Sequence, residues 1–347
     1  MNAKTWCFNP PSVTNMSRTF DQSPITISTL LLLVVLLATA MLSCHSADAL
    51  SAAVAKKIVV SGAGGQTGKS LFRQLLSDDD FDVVGIVRTQ TSKDALLEDP
   101  SIPVEDESKL VVCDVADETA LKGALDWNTV DALCICTSGT PRPTGEMKDN
   151  RPVFGFPEGG DPEIVDWIGQ KNQIDAMDEA AISSMRHVVV CSSMGGTDPS
   201  NPLNSLGRKM DKDTGKETGG NILMWKRKSE KYLIEKSGSN SNLKYTIVHP
   251  GGLINEPGSQ RELIVGVDDD RVTYGGEDSP RTVPREDVAR VMMEACRHSD
   301  EYGNRSFDLR AHEPASENEE SCVTTDFSNL LDSLEGKDCD YSLGESM

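Results

Sequence analysis

Six short, mostly apolar runs alternate with helix-like segments between residues 57 and 252, and this alternation restricts the fold more than any other feature of the sequence. Each run ends in small or polar residues, as strands buried on both faces of a parallel sheet do. The runs are KIVVSG, FDVVGIVR, KLVVCDV, VDALCICTS, MRHVVVCSS and KYTIVHPGG. Helical periodicity at 65–77, 117–125, 162–182 and 221–237 predicts the crossover helices between them. The sequence therefore predicts an α/β fold with a doubly wound parallel sheet, whose ligands bind at the carboxyl ends of the strands.

The regular alternation ends at residue 252, and the rest of the chain is assigned by its own patterns. A helix, a strand and a last short helix are predicted within 253–335, where they form a small C-terminal cap on the substrate side. The domain assignment is thus a presequence at 1–55, one domain at 56–335 and a disordered tail at 336–347. Two polar segments without periodicity, 207–219 and 313–320, are predicted to be mobile loops.

The segment SGAGGQTGKS lies directly after the first predicted strand and directly before the first predicted helix. Its glycines follow the spacing G-x-x-G-x-x-G, which permits a tight turn and lets the backbone approach a pyrophosphate at a helix N-terminus. This context makes the sheet Rossmann-type and predicts dinucleotide binding, whereas a tight turn that binds nothing is the alternative. The predicted contact residues are Gly62, Gly64, Gly65, Gln66, Thr67 and Gly68.

The ends of the next three strands supply further candidates for cofactor binding. Arg88 ends the second strand, where an NAD-specific protein would place a carboxylate for the ribose hydroxyls. A guanidinium at that point pairs with the 2′-phosphate of NADP, so NADP is the predicted cofactor, and a solvated surface arginine is the alternative. Asp114 and Val115, at the end of the third strand, are predicted to meet the adenine edge. Thr137 and Ser138, at the end of the fourth strand, are predicted to lie beside the cofactor ribose.

The first 55 residues have the pattern of a targeting sequence. An uncharged apolar run between Pro24 and Ser43 precedes a stretch rich in Ala and Ser, SCHSADALSAA. This order resembles a two-part presequence, a signal peptide followed by a transit segment, and predicts plastid import without stable membrane insertion after processing. Secretion and a signal-anchored membrane protein remain alternatives, because the run is about the minimum length for a membrane span.

Composition limits both the compartment and the partners. Of the nine cysteines, Cys113, Cys134, Cys136 and Cys191 lie in predicted strands, where buried free thiols fit a reducing interior. No spacing of Cys and His predicts a metal site. The formal net charge of −21 gives a surface that repels phosphate backbones, so nucleic acid is not an expected partner.

Four stretches resemble the atypical short-chain dehydrogenase/reductases, in their NAD(P)-binding, NmrA-like branch, which includes plant members. These stretches are VDWIGQKNQIDA, VVVCSSMGGTDPSNPLNSLG, NILMWKRKSEKYL and YTIVHPGGL. The resemblance covers residues 56–335, and the loop 208–218 is an insertion relative to the plant pattern. It implies a Rossmann domain that binds NADP and reduces a small molecule.

The resemblance also implies roles for particular residues. Ser193 matches the family serine, and Lys226 matches the lysine that holds the nicotinamide ribose. Four residues before Lys226, at the position of the proton-donating tyrosine, stands Ile222, which carries no acidic proton. If Lys228 is the family lysine instead, the donor position holds Met224, and the tyrosine is missing in either case.

Two further positions follow from the resemblance. Asn172 corresponds to the asparagine whose side chain ties its helix to the fourth strand near the nicotinamide. Pro250 places its backbone against the nicotinamide.

These features predict an NADP(H)-binding oxidoreductase that lacks the family tyrosine. Hydride transfer to a quinone-, flavin- or tetrapyrrole-like acceptor remains feasible, since the reduced anion of such an acceptor leaves without a strong acid. The alternative is a non-catalytic protein that senses NADP(H) and signals to a protein partner.

Overall fold

The computed structural model describes residues 54–344, except 149, 182–183, 211–214, 216 and 315–321. Residues 1–53 of the predicted presequence, with the apolar run, therefore lie outside the described residues. Among the residues that are described, no helix is long and apolar enough to cross a membrane.

The central sheet has eight strands: β1 (Lys56–Ser61), β2 (Phe81–Val87), β3 (Leu110–Val112), β4 (Ala132–Ile135), β7 (Arg186–Cys191), β10 (Leu243–Pro250), β12 (Leu263–Gly266) and β14 (Arg305–Ala311). Three two-stranded sheets use the other strands: β5 (Arg142–Lys148) with β6 (Arg151–Gly155), β8 (Lys209–Met210) with β9 (Glu217–Thr218), and β11 (Gly252–Ile254) with β13 (Thr282–Pro284). The β8–β9 pair lies in the segment that the sequence analysis treats as a loop.

The helices are α1 (Gln66–Leu76), α2 (Gln90–Leu97), α3 (Glu118–Ala124), α4 (Gln170–Glu179), α5 (Ile222–Ser239), α6 (Arg285–Arg297) and α7 (Ser299–Tyr302). A π-helical segment, Glu163–Gly169, leads directly into α4. Short 3₁₀ turns occupy Glu107–Lys109, Trp127–Thr129, Pro202–Ser205 and Asp332–Leu334.

The strand order confirms the predicted fold class. Across the sheet it is β3-β2-β1-β4-β7-β10-β14-β12, and every pairing is parallel except that of β12 with β14. The strand order reverses between β1 and β4, because β2 and β3 lie on one side of β1 and the later strands lie on the other. In this fold a ligand binds in the crevice at that point, beyond the carboxyl ends of the strands.

Successive residues of the central strands pack alternately into two separate hydrophobic cores, one on each face of the sheet. Ile58 and Val60 pack in the cluster that contains the apolar faces of α1 and α6. Val59, between them, packs in the cluster that contains residues of α3, α4 and α5. Because side chains alternate along a strand, both faces of the sheet are covered, which explains why the strands read as continuous apolar runs.

The structure corrects two expectations for the C-terminal part. The strand and the helix assigned to a cap, β14 and α6, belong instead to the central sheet and to the layer that covers it, because β14 pairs in parallel with β10. Residues 336–344 were expected to be disordered, yet they pack against the sheet. Cys339 N donates to Ser306 O at 3.1 Å, and the Arg227 guanidinium lies over the Tyr341 ring, 4.4 Å from its centroid. Residues 345–347 lie outside the description.

Candidate functional site

The glycine turn brings β1, the end of β4 and the start of α1 into close contact. Gly62 has φ of +72°, and a Cβ at this position would lie 2.8 Å from the carbonyl oxygen of Cys136. A Cβ on Gly68 would lie 2.2 Å from the carbonyl oxygen of Gly62. Any residue other than glycine would place its Cβ against the backbone at these two positions, so the packing requires glycine. The turn therefore has the tight form that the sequence predicts.

The outer side of the same turn is open. Gly64, Gly65 and Gln66 are exposed, whereas Thr67 is buried. Helix α1 has no side chain capping its N-terminus and no acidic residue in its first turn. Its first amides and its partial positive charge are therefore directed toward solvent at the sheet crevice, as binding of a phosphate group requires.

Arg88 follows β2 directly and is exposed. Its Nη1 donates to the carbonyl oxygen of Gly159 at 3.3 Å. Asp114 is also exposed and accepts from the amide of Ala116 at 3.0 Å, while Val115 is buried. The three residues lie at the carboxyl ends of β2 and β3, as predicted.

The end of β4 is connected to the glycine turn and to α4. A Cβ on Gly62 would lie 3.0 Å from the amide nitrogen of Thr137, so the two segments are adjacent. The hydroxyl of Thr137 accepts from Nε2 of Gln173 at 3.3 Å. Ser138 is half-buried and donates to the carbonyl oxygen of Gly139 at 3.3 Å.

Asn172 does not make the contact that the resemblance implies. Its Nδ2 donates to the carbonyl oxygens of Val115, at 3.0 Å, and Ala116, at 3.2 Å, so it ties α4 to the end of β3 rather than to β4. The tie to β4 comes from the next residue, Gln173. The side chains of neighbouring residues on a helix point about 100° apart, so Asn172 and Gln173 contact different strands.

Lys226 is buried and paired with a residue that the sequence analysis missed. Its Nζ lies 2.9 Å from Oδ1 of Asp166, and the other carboxylate oxygen of Asp166 accepts from the amide of Gly139 at 2.8 Å. Burial by itself lowers the pKa of Lys226, but the charge of Asp166 outweighs it and raises the pKa above its ordinary value. Lys228, the alternative, is exposed with its Nζ 4.2 Å from the centroid of the Trp167 ring.

The position expected for a proton donor holds an aliphatic side chain. Ile222 is the first residue of α5 and is half-buried. Ser193 follows β7, and its hydroxyl donates to the carbonyl oxygen of Met194 at 3.0 Å. The amide of Met194 in turn donates to the carbonyl oxygen of Pro250, also at 3.0 Å, so the ends of β7 and β10 are joined.

A buried polar chain lies beside Ser193. The hydroxyl of Ser192 donates to Glu230, whose other oxygen lies 3.2 Å from Nε2 of His249. Burial raises the pKa of Glu230, but the charge of His249 outweighs it, and the pKa is lowered. The position of Glu230 in α5, one turn after Lys226, was the available signal, because residues at i and i+4 share a helix face.

The chain is similar to known proteins that bind NAD(P)H. Residues 62–299 match a family described as NAD(P)H-binding. An uncharacterised chloroplastic protein of Arabidopsis thaliana is 38% identical over 242 residues, 69% of this chain and 64% of that protein. Sanguinarine reductase of Eschscholzia californica is 36% identical over 273 residues, 73% of this chain and 88% of that protein. The matched region thus spans a little under two thirds of the Arabidopsis protein and most of the reductase.

The oxidoreductase ylbE from Lactococcus lactis shares the fold. It superposes with a TM-score of 0.51 at 19% identity, over 81% of this chain and 97% of that one.

Proposed function

Because the chain belongs to the NAD(P)H-binding family, we propose that it is an NADP(H)-dependent reductase of a small acceptor, of the atypical short-chain dehydrogenase/reductase type. The observation that carries this proposal is the turn at residues 62–68, in which the close approach of Gly62 and Gly68 leaves the first amides of α1 open at the sheet crevice. A pyrophosphate fits such a site.

The proposed preference for NADP(H) over NAD(H) rests on Arg88. It lies at the end of β2, where the ribose attached to adenine is bound in this fold. Among the described residues its exposed guanidinium makes one weak hydrogen bond, to the carbonyl oxygen of Gly159. A phosphate pairs with a guanidinium through two parallel hydrogen bonds, which a carbonyl cannot offer. We expect NADPH to bind more tightly than NADH.

Lys226 is proposed to hold the nicotinamide ribose. An ammonium group has three donors, and among the described residues Lys226 is ion-paired with Asp166 alone, so donors are left for hydroxyl groups. Asp166 also fixes the orientation of the lysine, because its second oxygen is bound to the amide of Gly139 after β4. Ser193, Thr137 and Ser138 are the other polar groups proposed to face the cofactor or the acceptor.

When bound, NADPH would supply a hydride, and water would supply the proton that the reduced acceptor needs. Since Ile222 and Met224 carry no acidic proton, we propose a quinone-, flavin- or tetrapyrrole-like acceptor, whose reduced anion is stable until it leaves the site. Carbonyl compounds that need simultaneous protonation are expected to be poor substrates.

The test is NADPH oxidation by the purified protein across a panel of these acceptors. Sanguinarine is included because the Eschscholzia relative is named as its reductase. We expect consumption of NADPH with at least one acceptor class, at a rate above that without acceptor, and slower consumption of NADH at the same concentration. Binding of NADPH without oxidation by any acceptor would contradict a reductase.

That last outcome would support the second candidate, a protein that senses NADP(H) and passes its occupancy to a protein partner. The aliphatic residue at position 222 favours it, since a sensor needs the cofactor site but no acid. A change in the hydrodynamic or proteolytic behaviour of the protein on NADPH binding, absent with NADP⁺, is its expected sign.

We also propose that the protein acts in the plastid. Support comes from the apolar run followed by ADALSAA, and from two Arabidopsis relatives named as chloroplastic. A fluorescent protein fused to residues 1–60 is expected to enter plastids. Its secretion, or an uncleaved and membrane-bound N-terminus in the native protein, would contradict this localisation.

A further inference from the structure

Three metal-ligand side chains converge from three separate parts of the chain. His249 lies in β10, Asp308 in β14 and Cys339 in the C-terminal segment. Nδ1 of His249 is 3.5 Å from Sγ of Cys339 and 3.7 Å from Oδ1 of Asp308, and the sulfur is 4.0 Å from the same oxygen. All three residues are buried.

We propose that these three side chains bind a zinc ion. Imidazole nitrogen, carboxylate oxygen and thiolate sulfur are its usual ligands, at bond lengths of about 2.0 to 2.3 Å. Tetrahedral coordination at those lengths separates neighbouring ligand atoms by roughly 3.3 to 3.6 Å. The observed separations exceed this by about half an ångström at most, a shift that rotation of the side chains provides. One thiolate and one carboxylate balance the two positive charges of the ion.

The surroundings of the histidine are those of a metal ligand. Its Nε2 lies 3.2 Å from a carboxylate oxygen of Glu230, and that glutamate is held by the hydroxyl of Ser192. A metal-bound histidine usually donates its second ring N–H to a carboxylate, which fixes the ring and its tautomer. In the tautomer that donates from Nε2, Nδ1 carries the lone pair on the side of Cys339 and Asp308.

The aspartate is oriented in the same way. Oδ2 of Asp308 accepts from the amide of Asp269 at 2.8 Å, which leaves Oδ1 toward the cluster. Asp269 itself is held by the loop after β7, since it accepts from the amides of Gly195, at 2.6 Å, and Thr197, at 3.1 Å. Two of the three proposed ligands are therefore preorganised by hydrogen bonds outside the cluster.

A cavity of about 10 Å³ adjoins the cluster and is lined by all three ligands and by Ser193. Its volume is close to that which a single water molecule needs. Zinc sites with three protein ligands complete their coordination with a water molecule. The cavity provides the place for that fourth ligand.

The ion would tie the C-terminal segment to the end of the sheet. That segment already runs beside β14, where Nε of Arg305 lies 3.0 Å from Oδ1 of Asp338 and the amide of Cys339 donates to the carbonyl oxygen of Ser306. On binding, the thiol, the imidazole Nδ1 and the carboxyl group release to solvent any protons that they hold. The proposal does not depend on the cofactor or on the reaction proposed above.

The experiment uses cobalt(II) as a spectroscopic substitute for zinc. The purified protein is treated with a chelator, exchanged into chelator-free buffer and titrated with Co²⁺. We expect a thiolate-to-cobalt charge-transfer band and the intense visible bands of tetrahedral cobalt, saturating at one ion per chain. One equivalent of Zn²⁺ should abolish both. Absence of the charge-transfer band in the wild-type protein would overturn the proposal.

Variants identify the ligands. Cys339→Ser should lose the charge-transfer band, whereas the matched control Cys322→Ser, which changes an exposed cysteine, should keep it. Glu230→Gln should weaken zinc binding about tenfold to a hundredfold, since it removes the carboxylate behind the histidine. A band that persists in Cys339→Ser, or that disappears in Cys322→Ser, places the metal elsewhere and contradicts the assignment.

A measurement on the unaltered protein removes any dependence on how the variants fold. Alkylation of Cys339 is followed by mass spectrometry in the presence and absence of Zn²⁺, with Cys322 as the internal reference. Zinc should slow the labelling of Cys339 at least tenfold and leave Cys322 unchanged. Equal labelling rates with and without zinc would show a cluster of hydrogen-bonded side chains that binds no metal.

Discussion

The ammonium nitrogen of Lys226 lies 2.9 Å from a carboxylate oxygen of Asp166, in a setting where the lysine is 6% exposed and the aspartate is fully buried. The same carboxylate accepts from the amide of Gly139. This pair therefore joins α5, the π-helical segment before α4 and the end of β4. It holds in place the residue that we propose to contact the ribose.

The first prediction concerns this pair. Lys226→Met and Asp166→Asn should each lower the free energy of unfolding by about 3 to 5 kcal/mol, because each leaves a buried charge without its partner. The double variant should be more stable than the sum of the two losses implies, since it contains neither charge. Chemical denaturation of the four proteins measures the coupling.

The control for this cycle is a group of exposed charges. Lys122 lies 2.9 Å from Glu118 and 2.7 Å from Glu179, and all three side chains are exposed to solvent, so Lys122→Met should change stability by less than about 1 kcal/mol. Strictly additive losses at positions 226 and 166 would mean that the pair is not coupled.

The second prediction concerns cofactor choice. Arg88→Asp should weaken NADPH binding about tenfold to a hundredfold and reduce or reverse the preference over NADH, because a carboxylate repels the 2′-phosphate and accepts from ribose hydroxyls. Arg88→Lys should retain the charge but lose the paired hydrogen bonds, so its affinity for NADPH should lie between those of the wild type and Arg88→Asp. Fluorescence titration with both cofactors is the measurement. A wild-type protein with equal affinities for them would refute the role of Arg88.

The third prediction concerns the glycine turn. Gly68→Ala places a Cβ against the carbonyl oxygen of Gly62, so the turn must shift, with a loss of about 1 to 3 kcal/mol in stability and a more than tenfold loss of NADPH affinity. Gly123→Ala is the matched control, since no atom lies within 4 Å of its added Cβ in α3, and it should raise stability by about 0.5 to 1 kcal/mol. Thermal denaturation measures the change in stability of both variants, and NADPH titration measures the change in affinity. Unchanged affinity in Gly68→Ala would exclude the turn as the phosphate site.

The fourth prediction is a pH dependence of stability. Burial lowers the pKa of His187 to about 4, and its Nε2 donates to the hydroxyl of Thr246 at 2.8 Å. In the unfolded chain the histidine has an ordinary pKa near 6.5, so it binds a proton at a higher pH than the folded protein does. The contribution of neutral His187 to the free energy of unfolding is therefore present above about pH 6.5 and is lost as pH falls toward 4. The loss should reach about 3 kcal/mol.

His187→Gln provides the comparison, because glutamine also donates to the threonine but does not titrate. Denaturation midpoints of the two proteins should diverge as pH falls from 7 to 4, with the wild type losing more. Parallel curves over this range would show that His187 is not held neutral by the fold.

Local patterns carried most of the fold prediction. The apolar runs predict buried strands, and the spacing of Gly62, Gly65 and Gly68 predicts a tight backbone turn. Both features depend on only a few neighbouring residues. Helix bounds at both ends of α1 and α3 agree with the structure within one residue. The C-terminal assignments were less accurate, because the strand β14 has a local sequence that fits an edge element as well as a position beside β10.

The contacts of individual side chains were not available from local sequence. That Asn172 contacts the end of β3 and Gln173 the end of β4 depends on the rotation of α4, which packing against both strands determines. The partnership of Lys226 with Asp166 joins residues that are far apart in the chain, and neither residue type identifies its partner.

The sequence by itself thus determined the doubly wound sheet and the tight glycine turn, because both depend on residues that are neighbours in the chain. It also predicted, through the family resemblance, that the proton-donating tyrosine is missing. Only the tertiary structure decided which charges are paired, and that His249, Asp308 and Cys339 meet at the end of the sheet. The physical reason is range: turns and strand burial are local properties of the backbone, whereas a cluster of side chains depends on how distant segments pack.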